Sequence, residues 1–368
     1  MRYYLICGER SGDLHTSRLV KALRQKGASA VCRGIGGELS EQNGLELYAH
    51  YKDVAVMGAW EVFVKLPSIF KRIRKTKEDI LAFKPDVVVL VDFGGFNMKI
   101  AKFAYEQGIK VFYYISPKVW AWNTGRANKI KQYVDKMFVI LPFEKDFFKQ
   151  FNYEVDYVGN PLKDAAADFV VDEAFVAKYK SKKTVIAVLP GSRAQEVIQM
   201  LNTMLEMVPA FPNYHWVVAG VDNLDASLYA GAKAVGVEVI YNQTYQLLHI
   251  ARAALVTSGT ATLETALFQV PQIVCYKTSS VTFFLAKFVI KVPYISLVNL
   301  IANKEVVKEM IQSDFNPEAL KVELKQLLEE GEYRSKMMEE YRIIGQKIGE
   351  KGVADRTAGL MVNYLTIA

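Results

Sequence analysis

Short β-rich runs alternate with stretches of helical periodicity along almost all of the 368 residues. A strand–helix–strand unit joins its strands by a crossover, so the strands lie parallel and the helices cover both faces of the sheet. Runs such as Val87-Val88-Val89-Leu90-Val91 show no polar–apolar alternation, which is the pattern of strands buried on both faces. Expected strands of the first half span residues 3–7, 30–33, 87–92, 111–115, 136–140 and 155–158. Those of the second half span 184–189, 216–220, 237–241, 254–257 and 272–276.

Between the two series, Asn160-Pro161 reads as a turn, and the acidic, alanine-rich segment after it loses periodicity. The chain also exceeds the length at which one hydrophobic core keeps growing. The expected fold is therefore α/β: two Rossmann-like domains, residues 1–163 and 164–340, with parallel sheets facing a central cleft. The helical segment 341–368 is expected to cap the second domain or to cross to the first. Ligands of open α/β sheets bind beyond the carboxyl ends of the strands, so the strand-to-helix turns are where chemistry is expected.

Composition bounds the partners. Forty-six Lys and Arg against thirty-nine Asp and Glu give a net charge of +7, which favours nucleotides, phospholipid headgroups or nucleic acid without choosing among them. Cys7, Cys32 and Cys275 are widely spaced and fit buried, reduced thiols. His15, His50, His215 and His249 form no paired ligand pattern, so no metal is expected. The first apolar stretch is too short for a secretory signal, which points to a cytoplasmic protein. Lys287, Lys291 and Pro293 interrupt the apolar tract 281–302 and argue against a spanning helix.

Four turns carry candidate chemistry. Gly8-Glu9-Arg10-Ser11-Gly12-Asp13 precedes a helix expected to start near Leu14; it fits either an anion held on backbone N–H groups or a tight turn capped by Ser11 or Asp13. Asp92 closes an apolar strand, as a general base or as the residue that holds the Gly94-Gly95 turn. Gly191-Ser192-Arg193, with Glu196, delivers an arginine suited to a diphosphate, or simply a surface arginine. Ser258-Gly259-Thr260-Ala261 opens a helix with small residues that leave N–H groups open to phosphate. Glu264 falls one turn along, placed for a ribose diol; a capping box is the other reading. Trp120 and Trp122 fit a cleft wall or a core. Residues 56–77 mix aromatic and aliphatic side chains with Lys71, Arg72, Arg74, Lys75 and Lys77, which suits an anionic membrane surface or an amphipathic helix with a solvated basic face.

These segments together resemble the lipid-A-disaccharide synthase family. The likeness runs through GERSGD (8–13), AVMGAWEV (55–62), KPDVVVLVDFGGFN (84–97), YYISPKVWAW (113–122), LPFEKDFF (141–148), LPGSRAQEV (189–197), SGTATLE (258–264) and residues 276–308. The resemblance implies a two-domain glycosyltransferase of the GT-B type that needs no cofactor. It would join UDP-2,3-diacylglucosamine to 2,3-diacylglucosamine 1-phosphate with inversion, giving the β-1,6-linked disaccharide phosphate and UDP. It implies Asp92 as base for the acceptor hydroxyl and Arg193 near the donor diphosphate. Gly191, Ser192, Ser258, Gly259, Thr260, Ala261, Glu264 and Asn299 would surround the UDP-sugar. Gly8, Glu9, Ser11, Gly12, Asp13, Trp122 and Asn160 would line the cleft. It further implies a homodimer with exchanged C-terminal segments, attached peripherally to the cytoplasmic face of the inner membrane, with no role for nucleic acid.

The sequence departs from the family pattern at Arg10, Gly95, Asn160 and Val298, chiefly on the acceptor side. The alternative is a UDP-N-acetylglucosamine 2-epimerase, of the same architecture but acting on a soluble sugar nucleotide, or another UDP-sugar-dependent enzyme of the GT-B type.

Overall fold

The computed structural model describes residues 1–27, 29–54, 59–180, 182–280, 282–284, 290 and 292–366, the side chains of 59–67 excepted. It contains two compact units, Met1–Pro161 with Glu350–Ala368, and Leu162–Gly349.

The first unit is built on β1 (Arg2–Ile6), β2 (Val31–Gly36), β3 (Leu45–His50), β4 (Val87–Val91), β5 (Lys110–Tyr114), β6 (Lys136–Val139) and β7 (Asp156–Tyr157). They pair in the order β3-β2-β1-β4-β5-β6-β7, every pair parallel. Successive side chains of a strand point to opposite faces, and here both faces are buried. Tyr4, Ile6, Val88 and Leu90 fill one core, with Tyr113 and Met137. Tyr3, Leu5, Cys7, Val87, Val89 and Val91 fill the other. Onto this second core packs the last helix, Val353–Thr366, through Val353, Ala358 and Met361. Its Tyr364 meets the rings of Phe112 and Phe138 and donates to Asp156 Oδ2 at 3.1 Å.

The second unit carries β8 (Val185–Leu189), β9 (His215–Gly220), β10 (Glu238–Tyr241), β11 (Ala251–Thr257), β12 (Gln272–Tyr276) and β13 (Lys308–Ile311). Their order is β10-β9-β8-β11-β12-β13, again parallel throughout. Leu189, Val217, Ala254 and Val256 lie in its core. The α/β class and the parallel sheets read from the sequence are thus present in both units. All three cysteines are unpaired and buried.

The sequence reading needs correction at four places. The first helix spans Arg10–Lys26, starting four residues before Leu14, so Ser11, Gly12 and Asp13 lie in its first turn rather than ahead of it. β2 reaches Gly36, where the expectation ended at residue 33; its two glycines hid the continuation. β3 and β13 were not expected at all. Both are edge strands, half-exposed and mixed in polarity (LELYAH and KEMI), so neither shows a continuous apolar run.

The basic stretch continues as the helix Ala59–Phe83, with Lys71, Arg74 and Lys75 exposed; residues 55–58 lie outside the described residues, as do 281, 285–289 and 291 of the apolar tract. Among the described residues no helix is long and apolar enough to cross a membrane.

Gly34 shows how tightly β1 and β2 are joined. Its φ is +150°, and a Cβ there would overlap the carbonyl of Leu5. Since that neighbour is a central-strand backbone, it has little room to yield. Gly34→Ala is therefore expected to destabilise the first unit by about 1–3 kcal/mol, read as a fall in the urea midpoint with unchanged slope.

Candidate active site

A doubly wound sheet has one place where neighbouring strands send their following helices to opposite faces, and a crevice opens there. In the first unit that place lies between β1 and β4, the adjacent central pair that are not consecutive in sequence. The turn after β1 holds Gly8 and Glu9; the turn after β4 holds Asp92 and Phe93. Asp92 and Phe93 both have left-handed backbones, at φ +47° and +50°. That conformation is disfavoured for residues with a Cβ and persists only where neighbours impose it. Here the Asp92 N–H donates to the Tyr114 carbonyl at 3.1 Å, and the Asp92 carbonyl accepts from Asn97 Nδ2 at 2.8 Å and from the Tyr113 hydroxyl. Phe93 lies against Gly8 so closely that any side chain at residue 8 would overlap its ring.

The backbone of Asp92 is thus clamped while its carboxylate points elsewhere. Burial is the main force that pushes this carboxyl up to about 6, and the negative charge of Glu9 adds to it; Lys118 and the Phe93 N–H pull the other way. A carboxylate in that range is ionised at neutral pH yet basic enough to take a proton.

Of the other residues assigned to this edge, Glu9 accepts from Ser11 Oγ at 2.5 Å, and both are exposed. Gly12 packs closely on Cys7, whose Cβ lies 3.0 Å from where a Cβ on residue 12 would stand. Asp13 has a different part. Only 2% exposed, it accepts from the backbone N–H groups of Gly37 (2.7 Å), Leu39 (3.1 Å) and Ser40 (3.2 Å). It therefore anchors the start of the helix Glu38–Gln42, and its oxygens face the protein. Asn160 is buried, its amide donating to the Ile140 carbonyl at 3.3 Å. Trp122 is exposed, with the Arg126 guanidinium over its ring at 5.0 Å.

Sequence reasoning gave no role to Glu144, in the helix Glu144–Lys149 beyond β6. It is 1% exposed and accepts from the N–H groups of Leu141 (2.9 Å) and Ile140 (3.2 Å) and from Trp120 Nε1 (3.2 Å). Burial drives its carboxyl up to about 7 against those donors. The signal was a lone acid in an otherwise apolar Leu-Pro-Phe-Glu turn.

In the second unit the corresponding place lies between β8 and β11. Gly191, at φ +117°, turns the chain out of β8 with the Glu196 side chain packed against it. Glu196 Oε2 accepts from the N–H groups of Ser192 (2.9 Å) and Arg193 (3.2 Å), and its Oε1 meets Arg193 Nη1 at 3.1 Å. The Arg193 side chain is 69% exposed, so this pair adds little stability, and most of the guanidinium edge faces solvent.

After β11 come Ser258 and Gly259, then the helix Thr260–Leu267. Ser258 Oγ donates to the Ile295 carbonyl at 2.9 Å, which ties this turn to the chain beyond β12. Nothing lies within 4 Å of where a Cβ on Gly259 would stand, so the helix start opens on empty space. Its first N–H groups have no partner within the helix. Glu264 Oε1 accepts from the Tyr245 hydroxyl at 2.7 Å, and burial raises its carboxyl. Asn299 is fully buried. Its Oδ1 accepts from Val306 N (2.8 Å) and Val307 N (3.0 Å), and its Nδ2 donates to the Val307 carbonyl and Glu309 Oε1, both at 2.9 Å. Every polar atom of that side chain is engaged within the fold. Among the described residues no group of three or more His, Cys, Asp or Glu is arranged to hold a metal.

Comparison with known proteins gives a consistent result. A family model described as lipid-A-disaccharide synthetase matches residues 3–358. The lipid-A-disaccharide synthase of Syntrophus aciditrophicus is 38% identical, covering 98% of this chain and 97% of that protein. That of Persephonella marina is 34% identical, with 97% of each covered. Among solved structures, UDP-GlcNAc 2-epimerase from Neisseria meningitidis bound to UDP-GlcNAc aligns over the full length of both chains at a TM-score of 0.66. A calicheamicin glycosyltransferase aligns over 99% of this chain and 98% of its own at 0.63. Both are 15% identical and speak to the fold alone.

The engagement of Asp13 and Asn299 within the fold leads to a direct expectation. Asp13→Ala and Asn299→Ala each strand buried backbone donors, at a cost on the order of 3 kcal/mol. Thermal melts should show that loss, while kcat per folded molecule stays within about twofold.

Proposed function

This chain belongs to the lipid-A-disaccharide synthetase family, and from that premise we propose that it moves 2,3-diacylglucosamine from its UDP derivative to the 6-hydroxyl of 2,3-diacylglucosamine 1-phosphate. It is a glycosyltransferase of lipid A synthesis. The finer reading concerns substrates and stereochemistry.

One observation carries it. Beside the point where the strand order reverses, one sheet has Asp92, with a carboxyl raised to about 6, and the other has turns around Arg193 and Gly259 that suit an anion; this supports the reading. A transfer that inverts the anomeric carbon needs one base and a stabilised leaving group, with no covalent intermediate. In this reading Asp92 takes the proton of the acceptor hydroxyl as its oxygen attacks the anomeric carbon. The bond from that carbon to the diphosphate oxygen breaks, and UDP leaves with the electron pair. Arg193 and the N–H groups at the start of the helix Thr260–Leu267 stabilise the charge that collects there. Glu264, with one oxygen held by Tyr245, offers the other to the ribose.

Both substrates carry acyl chains, so the reaction belongs at the cytoplasmic surface of the inner membrane, with the enzyme associated peripherally. The exposed basic residues of the helix Ala59–Phe83 suit anionic headgroups. We further propose a homodimer that exchanges C-terminal segments, and no cofactor. The likeness to epimerases is one of fold, and incubation with UDP-N-acetylglucosamine alone should give no epimer.

The decisive assay supplies both acylated glucosamines and reads the product by mass spectrometry; absence of disaccharide would end this reading. Asp92→Asn should fold normally and lose about 10²- to 10⁴-fold in kcat. For the unaltered enzyme, kcat/KM should be level above the Asp92 carboxyl's value of about 6 and fall as the pH drops below it, because the protonated acid cannot accept a proton. Arg193→Lys should lower kcat/KM by about tenfold or more, since an ammonium cannot hold two diphosphate oxygens in one plane.

A further inference from the structure

The N–H of Asp92 continues the sheet ladder one residue past β4, donating to the Tyr114 carbonyl at 3.1 Å. Its carbonyl is held by side chains instead. Asn97, in the helix Gly94–Glu106, donates to it from Nδ2 at 2.8 Å, and the Tyr113 hydroxyl donates to it from β5. The same Nδ2 lies 3.3 Å from the Val91 carbonyl and 3.5 Å from that of Ile6, so the Asn97 amide sits across the ends of β4 and β1, the pair at which the strand order reverses. The backbone N–H of Asn97 donates to the Phe93 carbonyl at 3.1 Å. One residue therefore holds the carbonyls of both left-handed residues, Asp92 and Phe93.

Both donor side chains are fully buried, so solvent does not compete with the Asp92 carbonyl for them. A left-handed backbone is unfavourable for a residue with a Cβ and relaxes when its supports are taken away. With the Asp92 N–H fixed on Tyr114 and its carbonyl fixed on Asn97 and Tyr113, the Cα between them is left one orientation. The direction of the Cα–Cβ bond, and with it the origin of the carboxylate, is set by groups that bind only main chain.

We propose that Asn97 and Tyr113 are positioning residues for the proton transfer, acting through the Asp92 main chain to hold its carboxylate where the acceptor hydroxyl is met. This rests on the reading of Asp92 as the base.

The test is a double-mutant cycle on the single-turnover rate of the intact enzyme, with both acylated glucosamines saturating. Tyr113→Phe removes one donor and keeps the ring in the core; it should lower that rate about tenfold. Asn97→Ala should lower it about 10²-fold, the scale of a base misplaced by about an ångström. KM for both substrates should stay within about twofold, since neither side chain touches them in this reading. In an Asp92→Asn background the same substitutions should cost less than about twofold, because no base is left to misplace. If Asn97→Ala does not fold, Tyr113→Phe carries the cycle. Unchanged rates with Asp92 present overturn the positioning role. Equal losses in the two backgrounds also overturn it, reducing Asn97 and Tyr113 to scaffold. An Asp92→Asn variant that keeps its turnover sinks the base assignment and this proposal with it, whereas an impaired Asp92→Asn beside unchanged or equal losses sinks only the positioning role.

Discussion

Parallel strand pairing is the constraint from which the rest of this protein follows. Strands that run the same way cannot be linked by a tight hairpin, so each must hand the chain to a crossover, and every handover occurs at the same edge of the sheet. In both units this collects the strand-to-helix turns along one edge. At the central pair, β1 with β4 and β8 with β11, the crossovers depart to opposite faces. Residues brought there are held by the most deeply buried strands of the unit, and they stand beside a gap that the covering helices leave unfilled.

The Asp92 turn shows what such placement demands. Two consecutive non-glycine residues adopt left-handed backbones, and the neighbouring β5 turn adds Ile115 in the same region. Each would be unfavourable alone. They are sustained by groups that bind main chain rather than side chain: Tyr113 and Asn97 on the Asp92 carbonyl, and Glu144 on two backbone N–H groups. The polar side chains of this edge therefore fall into two sets. Asp13, Asn97, Asn160 and Glu144 are buried and bonded inward, while Glu9 is exposed and the Asp92 carboxyl is set by burial and by the charges of Glu9 and Lys118.

How much of this was legible in the sequence follows from which forces leave a pattern in it. Burial on both faces writes a continuous apolar run, so the central strands and the turns after them could be located from residues alone. Edge strands are wetted on one side and short, and β3 and β13 left no such run. Acidic and amide side chains were harder still. Asp13 and Asp92 both follow a central strand amid glycines, yet one, inside a helix, anchors the helix Glu38–Gln42 and the other, in a turn, has a carboxylate raised by burial and by Glu9. What separates them is whether backbone N–H groups distant in sequence converge on the carboxylate, and local spacing does not encode that. Asn299 is the same case: its partners at Val306, Val307 and Glu309 follow from how β13 enters the sheet.

The two units also divide the electrostatic work in a way that suits opposite tasks. At Asp92, burial works against ionisation, the negative charge of Glu9 adds to that and Lys118 opposes it, which leaves a carboxylate responsive to a proton. At Arg193 the side chain is mostly exposed and its ion pair with Glu196 is one that a phosphate could replace at little cost. Glu196 meanwhile keeps its other oxygen on the Ser192 and Arg193 N–H groups, so the turn would hold its shape while the guanidinium changes partners. Burial at Asp92 and exposure at Arg193 are thus two settings of one variable, solvent access, which the strand edge fixes separately in each sheet.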